Sequence, residues 1–151
     1  MIYIRKLIRN CRGSAMLEFA IGAGMLVSAF TGTFQFGYTF YQYNRLTNAV
    51  NGAARYASLR AYDSASNNPS NAFSTAVKNM AVYGNPAGGT TPVVPGLSTS
   101  NVYVTVTFVN SVPAFMSVDI RGYSINSVVA VTACNSKPKV TYPYLGLYMP
   151  Y

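Results

Sequence analysis

The sequence predicts an α+β protein with a long N-terminal α-helix, a short second helix and a small antiparallel β-sheet. Three observations predict this class. No residue between Phe19 and Asn44 is charged, the segment 72–83 is amphipathic at helical spacing, and NVYVTVTFVN at 101–110 alternates between apolar and polar residues. On length alone, 151 residues correspond to one domain.

Basic residues are concentrated at the N-terminus, before the apolar segment. Four of the eleven bases lie in residues 1–13, and the remaining 138 residues carry a formal charge of only +4. A basic segment that precedes an apolar one is typical of a cytoplasmic anchor. We therefore predict a leader over 1–13, a transmembrane helix over 14–62, and an extracytoplasmic α+β domain over 63–151.

The uncharged segment is longer than a simple membrane span requires. Its 26 residues would extend about 39 Å as a helix, against roughly 30 Å of bilayer hydrocarbon. Residues 19–33 are small and aliphatic, whereas FQFGYTFYQY at 34–43 is aromatic. Such aromatic residues suit a membrane–water boundary, and they equally suit a helix that leaves the membrane and packs against copies of itself.

Small residues recur every fourth position along the predicted helix. This spacing lets helix backbones approach closely in an apolar medium, so we predict helix packing along these positions. The predicted packing residues form two stripes: Ala20, Gly24, Ser28 and Gly32 in the first, and Ala49, Ala53 and Ala57 in the second.

A turn-rich segment, DSASNNPSN, separates the long helix from a second helix. The long helix is expected to continue to about Tyr62. The second helix is predicted over 72–83, with Ser70 or Asn71 as its N-cap and Gly84 after its end.

The C-terminal half carries the strand signals. The strongest is 101–110, a second strand is predicted over 123–133, and the intervening 111–122 is either a turn or a partial strand. The Pro- and Tyr-rich tail, 135–151, is not expected to form an interior strand because proline lacks a backbone donor. We expect an extended tail that is either mobile or docked, and it could lie across a neighbouring subunit.

The residue inventory argues against catalysis. The chain has no histidine, and its only acids are Glu18, Asp63 and Asp119. Histidine-based nucleophilic chemistry and histidine-ligated metals therefore lack their base or ligand. We expect no enzyme activity, no metal and no cofactor. With Cys11 in the leader, only Cys134 would remain after cleavage, so an intramolecular disulfide is not expected.

Three interpretations of the N-terminus are possible. It is a plain transmembrane anchor, an ordinary secretory signal cut after Ala29, or a prepilin leader. In a prepilin, a peptidase cuts after a glycine and the fifth residue of the new chain is a glutamate. Gly13, Ser14 and Glu18 have this spacing, and Phe19 follows.

The string RGSAMLEFAIGAG resembles the N-terminus of the TadE-like pilins of tight-adherence (Tad) systems, which are relatives of the type IV pilins. The resemblance continues through FQFGYTFYQYNRLTNAVNGAARYASLRA and covers roughly residues 9–62. Beyond Asp63 the chain is similar only in its predicted order of elements, a short helix followed by a small β unit.

The resemblance implies a structural pilin subunit of a Tad or type IV-like pilus with a pilin-like fold. Prepilin peptidase would cleave between Gly13 and Ser14, and Glu18 would pair with the N-terminal amine of an adjacent subunit. The implied partners are copies of the chain or other pilins, the peptidase and the Tad assembly machinery. The precursor would reside in the inner membrane and the assembled subunit in an extracellular pilus that serves cell adhesion.

Two alternatives remain open. A mature chain of 138 residues is far longer than the short major pilins of such systems, which favours a minor pseudopilin that supports assembly of another pilin. The other alternative is a surface adhesin with an ordinary signal or anchor. Nucleic acid is not expected as a partner, because Arg121, Lys137 and Lys139 offer few phosphate contacts.

Overall fold

The computed structural model describes residues 11–126, 131–134 and 136–150, and it confirms the α+β class. The first ten residues of the predicted leader lie outside the described residues. The helices and strands are α1 Cys11–Leu59, α2 Asn71–Tyr83, a 3-10 turn Thr99–Asn101, β1 Val102–Val109, β2 Val112–Ile120, β3 Tyr123–Asn126, β4 Val131–Cys134 and β5 Lys139–Pro143.

The chain divides into two compact units at Gly37 and Tyr38, and α1 contributes residues to both. In the first unit the described residues are helical and, with few exceptions, exposed. The second unit contains the hydrophobic core, to which α1, α2, the three-stranded sheet and the β3–β4 pair all contribute.

One face of α1 supplies the helical side of this core. Leu46, Val50, Ala53 and Ala57 are fully buried, and their spacing of three and four residues keeps them on one side of the helix. The opposite positions, such as Arg55, are exposed. This part of α1 is therefore an ordinary amphipathic helix that packs within its own chain.

Both ends of α2 have the predicted caps. The Ser70 hydroxyl accepts a hydrogen bond from the Phe73 N–H at 3.1 Å and donates one to the Asp63 carboxylate at 2.6 Å. Gly84 has a φ of +69° and donates its N–H to the Met80 carbonyl, as a glycine C-cap does. The prediction of a capped helix over 72–83 is confirmed.

The three-stranded sheet has the order β1-β2-β5, and both pairs are antiparallel. The predicted strand over 101–110 is confirmed as β1. Asn110 and Ser111, with φ values of 52° and 64°, join β1 to β2 in a tight hairpin. The uncertain segment 111–122 provides β2, the central strand.

The predicted single strand over 123–133 is wrong. Its ends form two strands, β3 and β4, which pair antiparallel with Tyr123 opposite Cys134 and Asn126 opposite Val131. Antiparallel pairing requires the chain to reverse direction between them, and the apolar residues of this segment continue without a glycine or proline to signal the reversal.

The tail forms an edge strand and then docks on its own chain. β5 pairs with β2 and lies at the edge of the sheet, with Pro143 at its end, as proline requires. Beyond it, the Leu145 N–H donates to the Ser58 carbonyl and the Tyr62 N–H donates to the Leu147 carbonyl, each at 2.9 Å. The tail thus satisfies a carbonyl that the end of α1 leaves without a helical partner.

Tyr62 joins the tail to the core. Its fully buried ring lies edge-on to Phe73 and Phe108, at centroid distances of 5.2 and 5.8 Å, and stacks on Tyr148 at 6.3 Å. The Tyr144 hydroxyl accepts from the Tyr62 N–H at 2.9 Å and donates to the Leu147 carbonyl at 2.7 Å.

Gly146 allows this close packing of the tail. A Cβ at this position would lie 2.5 Å from the Arg60 carbonyl oxygen and 2.8 Å from the Tyr144 hydroxyl. Any other residue would therefore push the tail away from the end of α1.

The substitution Tyr144→Phe is expected to lower the free energy of unfolding by about 1 kcal/mol, because it removes a hydroxyl with both a donor and an acceptor partner. The matched control is Tyr142→Phe, whose hydroxyl has one partner, Asn51, at an exposed position. Urea unfolding of the full chain in detergent measures both. Equal losses in the two variants would contradict the role assigned to Tyr144.

Stability is expected to fall at alkaline pH. Burial raises the pKa of Tyr62, Tyr123 and Tyr144 above the ordinary 10.0, and it raises the pKa of the Cys134 thiol above 9.0. The unfolded chain therefore loses these protons first, so the contribution present below about pH 9 declines as the pH rises. Urea unfolding between pH 7 and 11 tests this. The decline should be shallower in Tyr123→Phe, and an identical slope would contradict it.

Candidate processing and assembly segment

The described residues of the first unit present an uncovered apolar surface. Phe19 is 78% exposed and Met16 is 77% exposed, which is unusual for a side chain in contact with water. The helix Gly13–Leu59 is long and apolar enough to cross a membrane; its 18-residue stretch has a mean hydropathy of 1.5, and none of it is buried. The other exposed large apolar residues of this unit are Leu17, Ile21, Met25, Leu26, Val27, Phe30, Phe34 and Phe36.

Three hydroxyl groups of this segment donate hydrogen bonds to backbone carbonyls of the same helix. Ser28 donates to the Gly24 carbonyl at 2.9 Å, Thr31 to Val27 at 2.8 Å and Thr33 to Ala29 at 2.9 Å. A hydroxyl that already has a backbone acceptor carries little cost in hydrocarbon, where water is not available to accept the proton. These polar residues are therefore compatible with apolar surroundings.

The predicted cleavage residues, Gly13 and Ser14, are exposed near the start of α1. A Cβ at Gly13 would meet no atom within 4 Å. The fold of the chain therefore gives no reason for glycine at this position, and a requirement for glycine would have to come from outside the chain.

Glu18 is exposed on the same helix, next to the exposed ring of Phe19. Within residues 11–126, 131–134 and 136–150, its carboxylate has no ion-pair partner. An ionised side chain in hydrocarbon costs about 2.5–3.5 kcal/mol on insertion scales. A cation that reaches Glu18 from outside the described chain would reduce this cost.

The first stripe of small residues is uncovered. A Cβ at Gly24 or at Gly32 would meet nothing within 4 Å. The stripe is thus a shallow, exposed track on which another helix backbone could lie closely. Its four members, Ala20, Gly24, Ser28 and Gly32, are all exposed.

The second stripe lies against the core of its own chain. Ala53 and Ala57 are fully buried in the second unit, and Ala49 is half-buried. Their side chains contact the chain's own core. The two stripes, which look alike in the sequence, therefore have different surroundings.

At the end of β2, Asp119 forms an ion pair with Arg121. Its carboxylate is 1% exposed and accepts a hydrogen bond from the Arg121 Nε at 2.6 Å. This bond raises the pKa of Arg121, and the guanidinium lies 4.6 Å from the ring centroid of Tyr103. Arg121, one of the three cations considered for phosphate binding, therefore already has partners within the chain.

The two acids of the second unit, Asp63 and Asp119, have separate partners. Asp63 binds the Ser70 hydroxyl at the start of α2, whereas Asp119 binds Arg121 beyond the end of β2. Within the described part of the chain, no group of three or more histidine, cysteine, aspartate or glutamate residues could hold a metal ion.

Sequence reasoning missed the contacts of the tail. The sequence alone does not show that Tyr142, Tyr144 and Tyr148 pack against the core. Leu145, Leu147 and Met149 are exposed, although they are apolar.

Comparison with known proteins identifies the N-terminal segment. Residues 13–55 match the family model described as TadE-like protein, which confirms the predicted resemblance over these residues. The match begins at Gly13, the predicted cleavage residue, and includes all of the uncovered part of α1 that follows it. No curated protein and no solved structure matches the chain significantly. The chain is thus similar to TadE-like proteins over residues 13–55, and the same segment contains the candidate membrane anchor.

Proposed function

We propose that the protein is a structural subunit of a Tad or type IV-like pilus filament. The observation that carries the proposal is the TadE-like match from Gly13 through residue 55, over a helix whose first half is apolar and uncovered. In this proposal the protein acts by packing against copies of itself or other pilins. It performs no catalysis and needs no cofactor.

Processing converts a membrane protein into an assembly-competent subunit. The basic leader holds residues 1–13 at the cytoplasmic face, and the second unit lies on the other side of the inner membrane. Prepilin peptidase cuts between Gly13 and Ser14. The apolar half of α1 then leaves the lipid for a bundle of equivalent helices, in which lipid contacts are replaced by helix contacts.

Glu18 is the residue that makes assembly depend on cleavage. Cleavage creates a free ammonium on Ser14, and this ammonium does not exist in the precursor. The ammonium of an adjacent subunit neutralises the Glu18 carboxylate inside the bundle, where an unpaired charge would be costly. Phe19 and the first stripe of small residues supply the apolar contacts around this ion pair.

The second unit favours one alternative, a minor pseudopilin. It extends from Tyr38 to Tyr151, with a core of its own, whereas major pilins of tight-adherence systems are very short. A minor subunit would start or support a filament made of another pilin. Quantitative mass spectrometry of sheared filaments separates the two roles, because a structural subunit is the most abundant chain and a minor one is present in traces.

The first test is the N-terminal residue of the protein recovered from cells with the complete assembly system, measured by mass spectrometry. We expect Ser14 in the wild type and an uncut chain in Gly13→Leu. Glu18→Gln, which keeps the shape and removes the charge, should be cut normally but should lose filaments, whereas Glu18→Asp should retain part of the assembly.

Other N-termini contradict the proposal. A chain that begins after Ala29 would identify an ordinary secreted protein, and an intact Met1 would identify a plain membrane anchor. Normal filaments from Glu18→Gln would remove the proposed role of the carboxylate while leaving processing intact.

A further inference from the structure

A cavity of about 410 Å³ lies in the second unit, between α1, the 3-10 turn and β3. This volume is within the range of roughly 300–1,000 Å³ that is typical of small-molecule sites. None of the described residues that line the cavity is charged. They include three residues with side-chain amides and two tyrosines: Gln42, Asn101, Asn126, Tyr38 and Tyr123. The lining is therefore polar but neutral.

Gln42 is a buried polar residue at the wall of this cavity, and its amide is only half satisfied. The residue is 5% exposed, and its Nε2 donates to the Tyr38 hydroxyl at 3.0 Å. Its Oε1 has no hydrogen-bond partner among the residues that the structure describes. Turning the amide over would bring the oxygen to Tyr38 but would leave the N–H groups without an acceptor. Because a buried polar group without a partner is costly, a ligand that supplies the missing hydrogen bond is favoured here.

The second wall of the cavity is the edge of β3. All residues from Gly122 to Asn126 line the cavity, although Tyr123 and Ile125 are buried on one face of the strand and Ser124 is exposed on the other. A cavity that is lined by successive residues lies along an edge of the strand. In the described sheet β3 pairs only with β4, so its other edge has no neighbouring strand. Backbone N–H and C=O groups on such an edge offer both donors and acceptors.

The groups that remain available indicate the chemistry of the ligand. An anion would meet no cation in the lining, and a cation would meet no carboxylate. The side chains of Asn101 and Tyr123 already donate to backbone carbonyls of their own chain. The Gln42 amide and the edge of β3 are left, and hydroxyl groups suit both, because a hydroxyl donates and accepts. The half-buried Tyr38 adds aromatic surface beside them.

We propose that this cavity binds one ring of an uncharged sugar. A sugar hydroxyl donates to the Gln42 carbonyl, and its neighbours exchange hydrogen bonds with the backbone edge of β3. A sugar ring combines many hydroxyls with apolar C–H groups, which match the neutral lining and the ring of Tyr38. All lining residues belong to the second unit, so the site needs neither cleavage after Gly13 nor a filament. The inference therefore does not rest on the proposed function.

Saturation-transfer difference NMR of the full chain tests the site, in a detergent without a sugar headgroup such as dodecylphosphocholine. The probes are the methyl glycosides of glucose, galactose and N-acetylglucosamine. At least one should give a signal that saturates with its concentration and that is missing with empty micelles. Gln42→Leu should weaken this binding about fivefold, as expected for the loss of one hydrogen bond. Asn48→Leu, which removes an exposed amide from the same helix, should leave the binding unchanged.

Hydrogen–deuterium exchange gives a second measurement that needs no substitution. The glycoside that binds should slow the exchange of backbone amides in β3, because its hydroxyls accept hydrogen bonds from the N–H groups of the free edge. Exchange in β1 and β2 should be the same with and without the glycoside. The same exchange in β1 and β2 of Gln42→Leu verifies that this variant is folded.

Three outcomes would overturn the inference. If none of the three glycosides gives a signal above that of empty micelles, the cavity does not bind a sugar. Equal binding by Gln42→Leu and the wild type would exclude the amide from the site. Slower exchange in β3 with an uncharged peptide, such as N-acetyl-Ala-Ser-Val-Ser amide, and unchanged exchange with the glycosides would assign the cavity to an extended peptide.

Discussion

The exposed apolar half of α1 is the feature that decides which surroundings the chain requires. Its ten large apolar side chains, from Met16 to Phe36, are all mostly exposed within the chain. Burying each of them is worth about 1.5–3 kcal/mol, so their exposure to water would cost on the order of tens of kcal/mol. This half therefore suits apolar surroundings, such as the lipid of a membrane.

The other half of α1 packs into the folded second unit. Its buried face, from Leu46 to Ala57, joins the core of the second unit, and the tail closes the C-terminal end of the helix through Leu145 and Leu147. Because these contacts lie within the chain, the second unit has a core that does not require the apolar half of α1. Changes in the surroundings of one half then need not unfold the other.

The sequence predicted the elements whose signals are local. The uncharged run from Phe19, the cap at Ser70 and the alternation in β1 each depend on a short stretch of chain, and each was found. The central strand β2 was not recognised because Ser117 and Asp119 are buried although they are polar. Ser117 has its partner Thr141 on β5, 24 residues away, whereas the partner of Asp119 is Arg121, two residues along the chain.

The remaining differences between prediction and structure concern β3, β4 and the tail. The two strands β3 and β4 were merged because no glycine or proline lies between them, and the tail was left undecided because its partners, Ser58 and Tyr62, are more than eighty residues away. The two small-residue stripes also have the same spacing in the sequence. Only the packing of the second unit shows that Ala53 and Ala57 are covered while Gly24 and Gly32 are not.

The most direct measurement of the central claim compares filament yield from Gly24→Leu and Gly22→Leu in cells with the complete assembly system. A Cβ at either position would meet no atom of the described residues within 4 Å, and the two positions lie about 200° apart around the helix. If other helices occupy the uncovered stripe, Gly24→Leu should reduce filament yield about tenfold at equal levels of processed subunit. Gly22→Leu should leave the yield unchanged. Equal yields from the two variants would contradict the account.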